Sequence, residues 1–187
     1  MSRIHQAVLI ASILGLSWLG MQAVHELGHV LMARAGGERV ERVVLHPLAI
    51  SRTDTTHAAH PLLVVWGGPV VGVLVPLVAL GVAGGARLGW SYLLRFFAGF
   101  CLIANGVYLG AGSFDGVGDA GDLLRFGAPR WSLILFGLAS TPGGLALWHG
   151  LGPYFGLGPA RGKVDRRAAW GAATLLLVVV VVEVLLG

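Results

Sequence analysis

The stretch Met21-Gln-Ala-Val-His-Glu-Leu-Gly-His-Val-Leu-Met32 decides how this chain folds and what chemistry it can support. It carries the pattern H-E-x-x-H inside a long apolar run. On a helix, His25 and His29 are one turn apart on the same face, so both imidazoles can bind one metal ion. Glu26 lies beside that face, where it can take a proton from a metal-bound water. Zn²⁺ held in this way lowers the pKa of its bound water to about 7.

A buried helix can also carry two histidines and a glutamate without binding metal, because a five-residue pattern with two free positions arises by chance. The cost of burial disfavours this alternative. Each ionisable side chain costs about 2.5–3.5 kcal/mol or more at the middle of a bilayer, so three of them within five residues call for a function. We therefore predict a metal site here, with Glu26 as the catalytic residue.

The composition indicates an integral, multi-pass membrane protein. Of 187 residues, 56% are hydrophobic and only 12% are charged, and the length suits a single domain spanning 1–187. The net charge of +4 comes from basic residues scattered over short loops. No basic block is interleaved with aromatic residues, so the predicted partner is the lipid bilayer and not nucleic acid. Cys101 is the single cysteine and cannot form an intrachain disulfide.

Five apolar segments are each close to the length of about 20 residues that a bilayer requires. The predicted fold is therefore an all-α polytopic membrane protein with about five transmembrane helices. The first segment has the apolarity of a signal peptide, but the metal motif follows without a convincing cleavage site, so we predict a membrane helix. The five segments cover residues 4–35, 60–82, 92–110, 131–148 and 168–186.

The most polar part of the chain, residues 38–57, follows the first segment. Its Val, Ile and Thr residues partly alternate with polar ones, which predicts a short strand-like stretch at the membrane interface, with Pro47 in a turn or at an edge. His57 and His60 have a spacing that a second metal could use, although loop histidines at an interface are usually just solvated.

The second apolar segment contains Gly67-Gly68-Pro69. Two explanations are open. The glycines can form a small-residue packing face against another helix. Alternatively, the proline interrupts the helix and presents backbone groups at membrane depth, which would make Gly68 and Pro69 substrate-binding residues.

A catalytic zinc usually takes three protein ligands, so a third ligand is expected besides the two histidines. Asp115, Asp119 and Asp122 fall within eight residues after the third segment. Helix capping explains part of this cluster, with Asp119 as N-cap and Asp122 three residues later in a short helix. Asp115 precedes a glycine, as turn residues often do.

Together these motifs resemble the site-2 protease family of intramembrane zinc metalloproteases, over about residues 15–126. In that family the third zinc ligand is an aspartate in a pattern of the type N-P-x-x-x-x-D-G-G-[RK]. Asp119-Ala-Gly matches the aspartate part best, and Asp115-Gly116 is the second candidate. The chain departs from the pattern in having Ala120 for the first glycine and no Asn-Pro pair, only Asn105 at a longer separation.

The resemblance implies that His25, His29 and Asp119 hold Zn²⁺, with Glu26 as general base. It also implies hydrolysis of membrane-embedded or membrane-proximal segments of another protein, and the strand-like residues 40–52 could bind such a segment in extended form. The rival class is a metal-binding membrane protein without peptidase activity: a transporter, a chaperone or an inactive adaptor. Transport would predict ligands along several helices, and an inactive adaptor would have no need of Glu26.

Overall fold

The computed structural model describes residues 2–56 and 60–186, and it confirms the all-α polytopic fold. Within these residues, five helices are long and apolar enough to cross a membrane. A two-stranded sheet follows the first of them, and a short helix lies between the third and fourth spans. In chain order the elements are α1 (Ser2–Ala35), β1 (Val40–Val44), β2 (Arg52–Thr55), α2 (Pro61–Gly85), α3 (Ser91–Asp115), α4 (Gly118–Arg125), α5 (Arg130–Trp148) and α6 (Arg166–Leu186).

Glycines follow the ends of α1 and α3. α1 ends at Ala35, directly before Gly36-Gly37. α3 continues five residues beyond the predicted end at Gly110, because glycine is compatible with a membrane helix and Gly112 does not end it. The residue after the helix, Gly116, adopts φ +64°, a left-handed conformation that glycine adopts without strain.

α1 and α2 pack closely beside the H-E-x-x-H motif. A Cβ atom on Gly28 would collide with the backbone of Gly67, so the two helices approach to backbone contact only because both positions are glycine. α2 runs without interruption from Pro61 to Gly85, through both Pro69 and Pro76. The packing explanation for the glycine pair is therefore confirmed, and the predicted interruption of the helix does not occur between these residues.

The predicted strand pair is confirmed as an antiparallel hairpin. Val43 lies opposite Thr53 and Val44 lies opposite Arg52, and Pro47 is in the turn between the strands. Both strands lie within the predicted stretch 38–57, and β2 extends beyond residues 40–52, the part predicted to bind a substrate segment. The hairpin contacts the end of α1 that carries the metal motif, which brings strand residues close to Glu26.

The described residues form two buried apolar clusters, and one of them holds α4. Ala120 and Leu123, three residues apart and therefore on one face, are fully buried against Leu109 of α3 and Leu133 of α5. The other cluster joins α1 to α6 around Leu9. Because the apolar face of α4 packs against Leu109 and Leu133, Asp119 is placed next to α1, where it contacts His25.

Candidate metal centre

His25, His29 and Asp119 meet at one point, and they could hold a metal ion. Oδ2 of Asp119 lies 2.8 Å from Nε2 of His25 and 3.3 Å from Nε2 of His29, and the two Nε2 atoms are 3.2 Å apart. Ligands bound at 2.0–2.1 Å in a tetrahedral site are about 3.4 Å from one another, so small adjustments would fit these atoms around one ion. Both histidines are 8% exposed, so most of their surface is covered by the protein.

The other nitrogen of each imidazole is fixed by an outer hydrogen bond. Nδ1 of His29 lies 2.9 Å from the carbonyl oxygen of Val64, which can only accept, so this nitrogen donates. Nδ1 of His25 lies 2.7 Å from Oδ1 of Asn105, whose Nδ2 donates to the carbonyl of Cys101 at 2.9 Å. The amide oxygen of Asn105 therefore accepts from His25. Both Nε2 lone pairs are left for a metal, as in many metal sites.

Sequence reasoning noted Asn105 only as a departure from the family pattern and missed this contact. A signal was present, because a polar residue inside a membrane segment is a candidate for a functional role. Asn105 is 1% exposed, and Gly72 of α2 leaves the space that the amide occupies. The carbonyl of Val64 gave no sequence signal, since every residue carries a carbonyl.

The structure separates the three candidate aspartates. Asp119 contacts both histidines, whereas Asp115 is exposed at the end of α3. Asp122 is 43% exposed at its side chain and pairs with Arg125 at 3.2 Å. The predicted capping role of Asp119 is wrong, because α4 begins at Gly118 and its N-cap is Val117.

Asp119 enters the site with its backbone anchored as well. Its N–H donates to the hydroxyl of Tyr108 at 3.0 Å. Burial alone would raise the pKa of Asp119, but hydrogen bonding to His25 and His29 and their charge outweigh burial and lower the pKa to about 2. The carboxyl group is therefore ionised at neutral pH, which metal binding requires.

Glu26 is 3% exposed and follows His25 on α1. Thr53 of β2 donates a hydrogen bond of 2.7 Å from Oγ1 to Oε2 of Glu26. Sequence reasoning missed Thr53, since a threonine in a strand-like stretch is ordinary and gives no signal of such a contact.

Gly68 and Pro69 lie in the contact between α1 and α2. A Cβ atom on Gly68 would be 2.7 Å from Nε2 of His25 and still closer to Nε2 of His29, so this glycine makes room for the imidazoles. Pro69 is fully buried. Because Pro69 has no N–H, the carbonyl of Val65 lacks the hydrogen bond that it would otherwise accept within the helix. Val65 lines a cavity beside the possible metal site. Substrate binding by Gly68 and Pro69 stays a prediction.

A cavity of about 1100 Å³ opens beside these residues. Its walls combine the three possible ligands and Glu26 with apolar side chains and with the hairpin, including Trp18, Met21, Phe100, Ile103, Thr53 and Thr55. Of the two histidines predicted as a possible second metal site, His57 lies outside the described residues and His60 is exposed.

No family model, no curated protein and no solved structure matches this chain. The chemistry of the site and the H-E-x-x-H motif therefore provide the support for a function.

Proposed function

We propose that this protein is an intramembrane zinc metallopeptidase that hydrolyses peptide bonds in membrane-embedded or membrane-proximal segments of other proteins, as its resemblance to the site-2 protease family implies. One observation carries the proposal. Two histidines of H-E-x-x-H and Asp119 converge on one point beside Glu26, at the wall of a cavity between membrane-spanning helices.

The donor set of two imidazole nitrogens and one carboxylate oxygen suits zinc and leaves a fourth position open. Zinc bound by His25, His29 and Asp119 would polarise the scissile carbonyl and make water acidic enough to react at neutral pH. The outer hydrogen bonds from Asn105 and Val64 would hold the imidazoles in the orientation that such binding requires.

Glu26 would act as general base and then as general acid. Its carboxylate takes a proton from the attacking water and later delivers it to the leaving amine, so the base is regenerated with each peptide bond cleaved. Burial at 3% exposure keeps the carboxylate out of bulk solvent, and its place on α1 next to His25 keeps it at the reacting centre.

The hairpin would hold the substrate. A peptide must be extended for its scissile bond to be attacked, and an exposed strand edge binds extended peptides through backbone hydrogen bonds. β2 lines the cavity together with the possible ligands. Apolar side chains of the cavity wall would accept the apolar side chains of a membrane segment.

A metal transporter is the rival of a different class. Transport would require a path of ligands through the membrane, whereas His25, His29 and Asp119 form the one group of three possible ligands found within residues 2–56 and 60–186. Intact Glu26 beside that group favours hydrolysis over metal storage.

The test compares Glu26→Gln with the parent in detergent. The probe is a tagged single-span protein whose membrane segment contains Gly-Pro near its middle, because these residues favour the extended form. We expect Glu26→Gln to abolish cleavage and retain about one zinc per chain, while Asp165→Asn, which neutralises an exposed carboxylate outside the cavity wall, leaves both unchanged. Cleavage that survives Glu26→Gln would refute the proposed function, and zinc that survives replacement of His25 and His29 would refute the site.

A further inference from the structure

The two carboxylate oxygens of Glu26 have different surroundings. Oε2 accepts a hydrogen bond from Oγ1 of Thr53 at 2.7 Å, a distance typical of a hydroxyl donating to an ionised carboxylate. Oε1 has no protein donor among the described residues, and Glu26 lines the cavity. One oxygen is therefore fixed by the protein and the other is available to a molecule in the cavity.

Thr53 reaches Glu26 because of its register in the hairpin. Successive side chains of a strand point to opposite faces, so Thr53 and Thr55 share one face and both line the cavity. Arg52 and Asp54 share the other face and pair with each other at 3.3 Å, with side chains 59% and 41% exposed. A shift of β2 by one residue would replace the hydroxyl at Glu26 with a charged side chain.

We propose that Thr53 is a positioning residue for Glu26, and that the hairpin is thereby part of the catalytic apparatus as well as a surface for the substrate. This inference rests on the proposed function. The hydroxyl holds Oε2, which fixes the carboxylate plane and directs Oε1 towards the water whose proton it takes. Without the hydroxyl, the carboxylate of Glu26 can rotate away from that geometry.

The kinetic test uses Thr53→Val, which replaces the hydroxyl by a methyl group of similar size, and Thr53→Ser, which keeps the hydroxyl. Thr174→Val is the matched control, since it makes the same substitution at an exposed position of α6 that does not line the cavity. We expect Thr53→Val to lower kcat about 10- to 100-fold with KM and zinc content unchanged, because misplacing a catalytic group by about 1 Å costs up to 100-fold. Thr53→Ser should stay within about threefold of the parent.

A second measurement does not depend on activity. Thermal unfolding of Glu26→Ala, Thr53→Val and the double variant forms a cycle that reports the coupling between the two side chains. We expect the double variant to lose less in Tm than the two single losses combined, and the corresponding cycle with Thr174→Val to be additive.

The inference would be overturned by parental kcat in Thr53→Val, by equal impairment of Thr53→Ser and Thr53→Val, or by an additive cycle for Glu26 and Thr53. A loss confined to KM would also overturn it, because Thr53 would then contact the substrate instead of positioning Glu26. A parent without Glu26-dependent cleavage would refute the proposed function itself, and the thermal cycle would still report whether the contact exists.

Discussion

Gly68→Ala should weaken zinc binding at the proposed site without disturbing the helix that carries Gly68. The added Cβ atom would lie 2.7 Å from Nε2 of His25, and an ordinary contact begins near 3.4 Å. The imidazole or the helix must therefore move by about 0.7 Å, and the shift needed at His29 is larger. Metal–ligand distances tolerate only about 0.2 Å. We expect metal affinity to fall about 100-fold or more, the upper end of what loss of a ligand's support costs.

The assay titrates metal-free protein in detergent with zinc in competition with a chromophoric chelator. Gly81→Ala is the matched control, because it places the same methyl group on the same helix where no atom lies within 4 Å of it. Its affinity should equal that of the parent. Parental affinity in Gly68→Ala would refute the reasoning, since the Nε2 atoms that meet the new methyl group could not then be the metal ligands.

Two further comparisons test the ligand set and its support. Asp119→Asn should lose both zinc binding and cleavage, because two histidines bind zinc too weakly for a catalytic site. Asp122→Asn and Asp115→Asn should keep both, with a loss of folding stability below about 1 kcal/mol. If Asp115→Asn loses zinc and Asp119→Asn retains it, the third ligand is Asp115. Asn105→Leu removes the acceptor for Nδ1 of His25 and should weaken metal binding about 10- to 100-fold. Ser113→Ala, at a buried polar position on the same helix, should leave metal binding unchanged. Equal losses in Asn105→Leu and Ser113→Ala would contradict the role of Asn105.

The membrane-spanning helices could be predicted from sequence because bilayer thickness fixes the length of an apolar segment. His25, Glu26 and His29 could be predicted for a related reason. They are neighbours on one helix, so helical geometry alone brings them together. The strand pair was predicted from β-branched residues, although its register was not.

The remaining contacts of the site join distant parts of the chain. Thr53 and Glu26 are separated by 27 residues, and Asn105 and His25 by 80. No local pattern encodes such pairs, because helix packing brings them together. The capping prediction for Asp119 failed for the same reason: the residue type suits an N-cap, but burial of Ala120 and Leu123 and the contact with the histidines fix where α4 begins.

The distance along the chain between the ligands has a consequence for biosynthesis. Asp119 follows His25 by 94 residues, and a chain is made and folds from its N-terminal end. A nascent chain that has inserted only α1 carries two histidines and no carboxylate ligand, so it would hold zinc too weakly to keep it. Firm metal binding at the proposed site would therefore wait until α3 and α4 have been made and packed against α1. The proposed peptidase would in this way stay inactive until the cavity beside Glu26 exists.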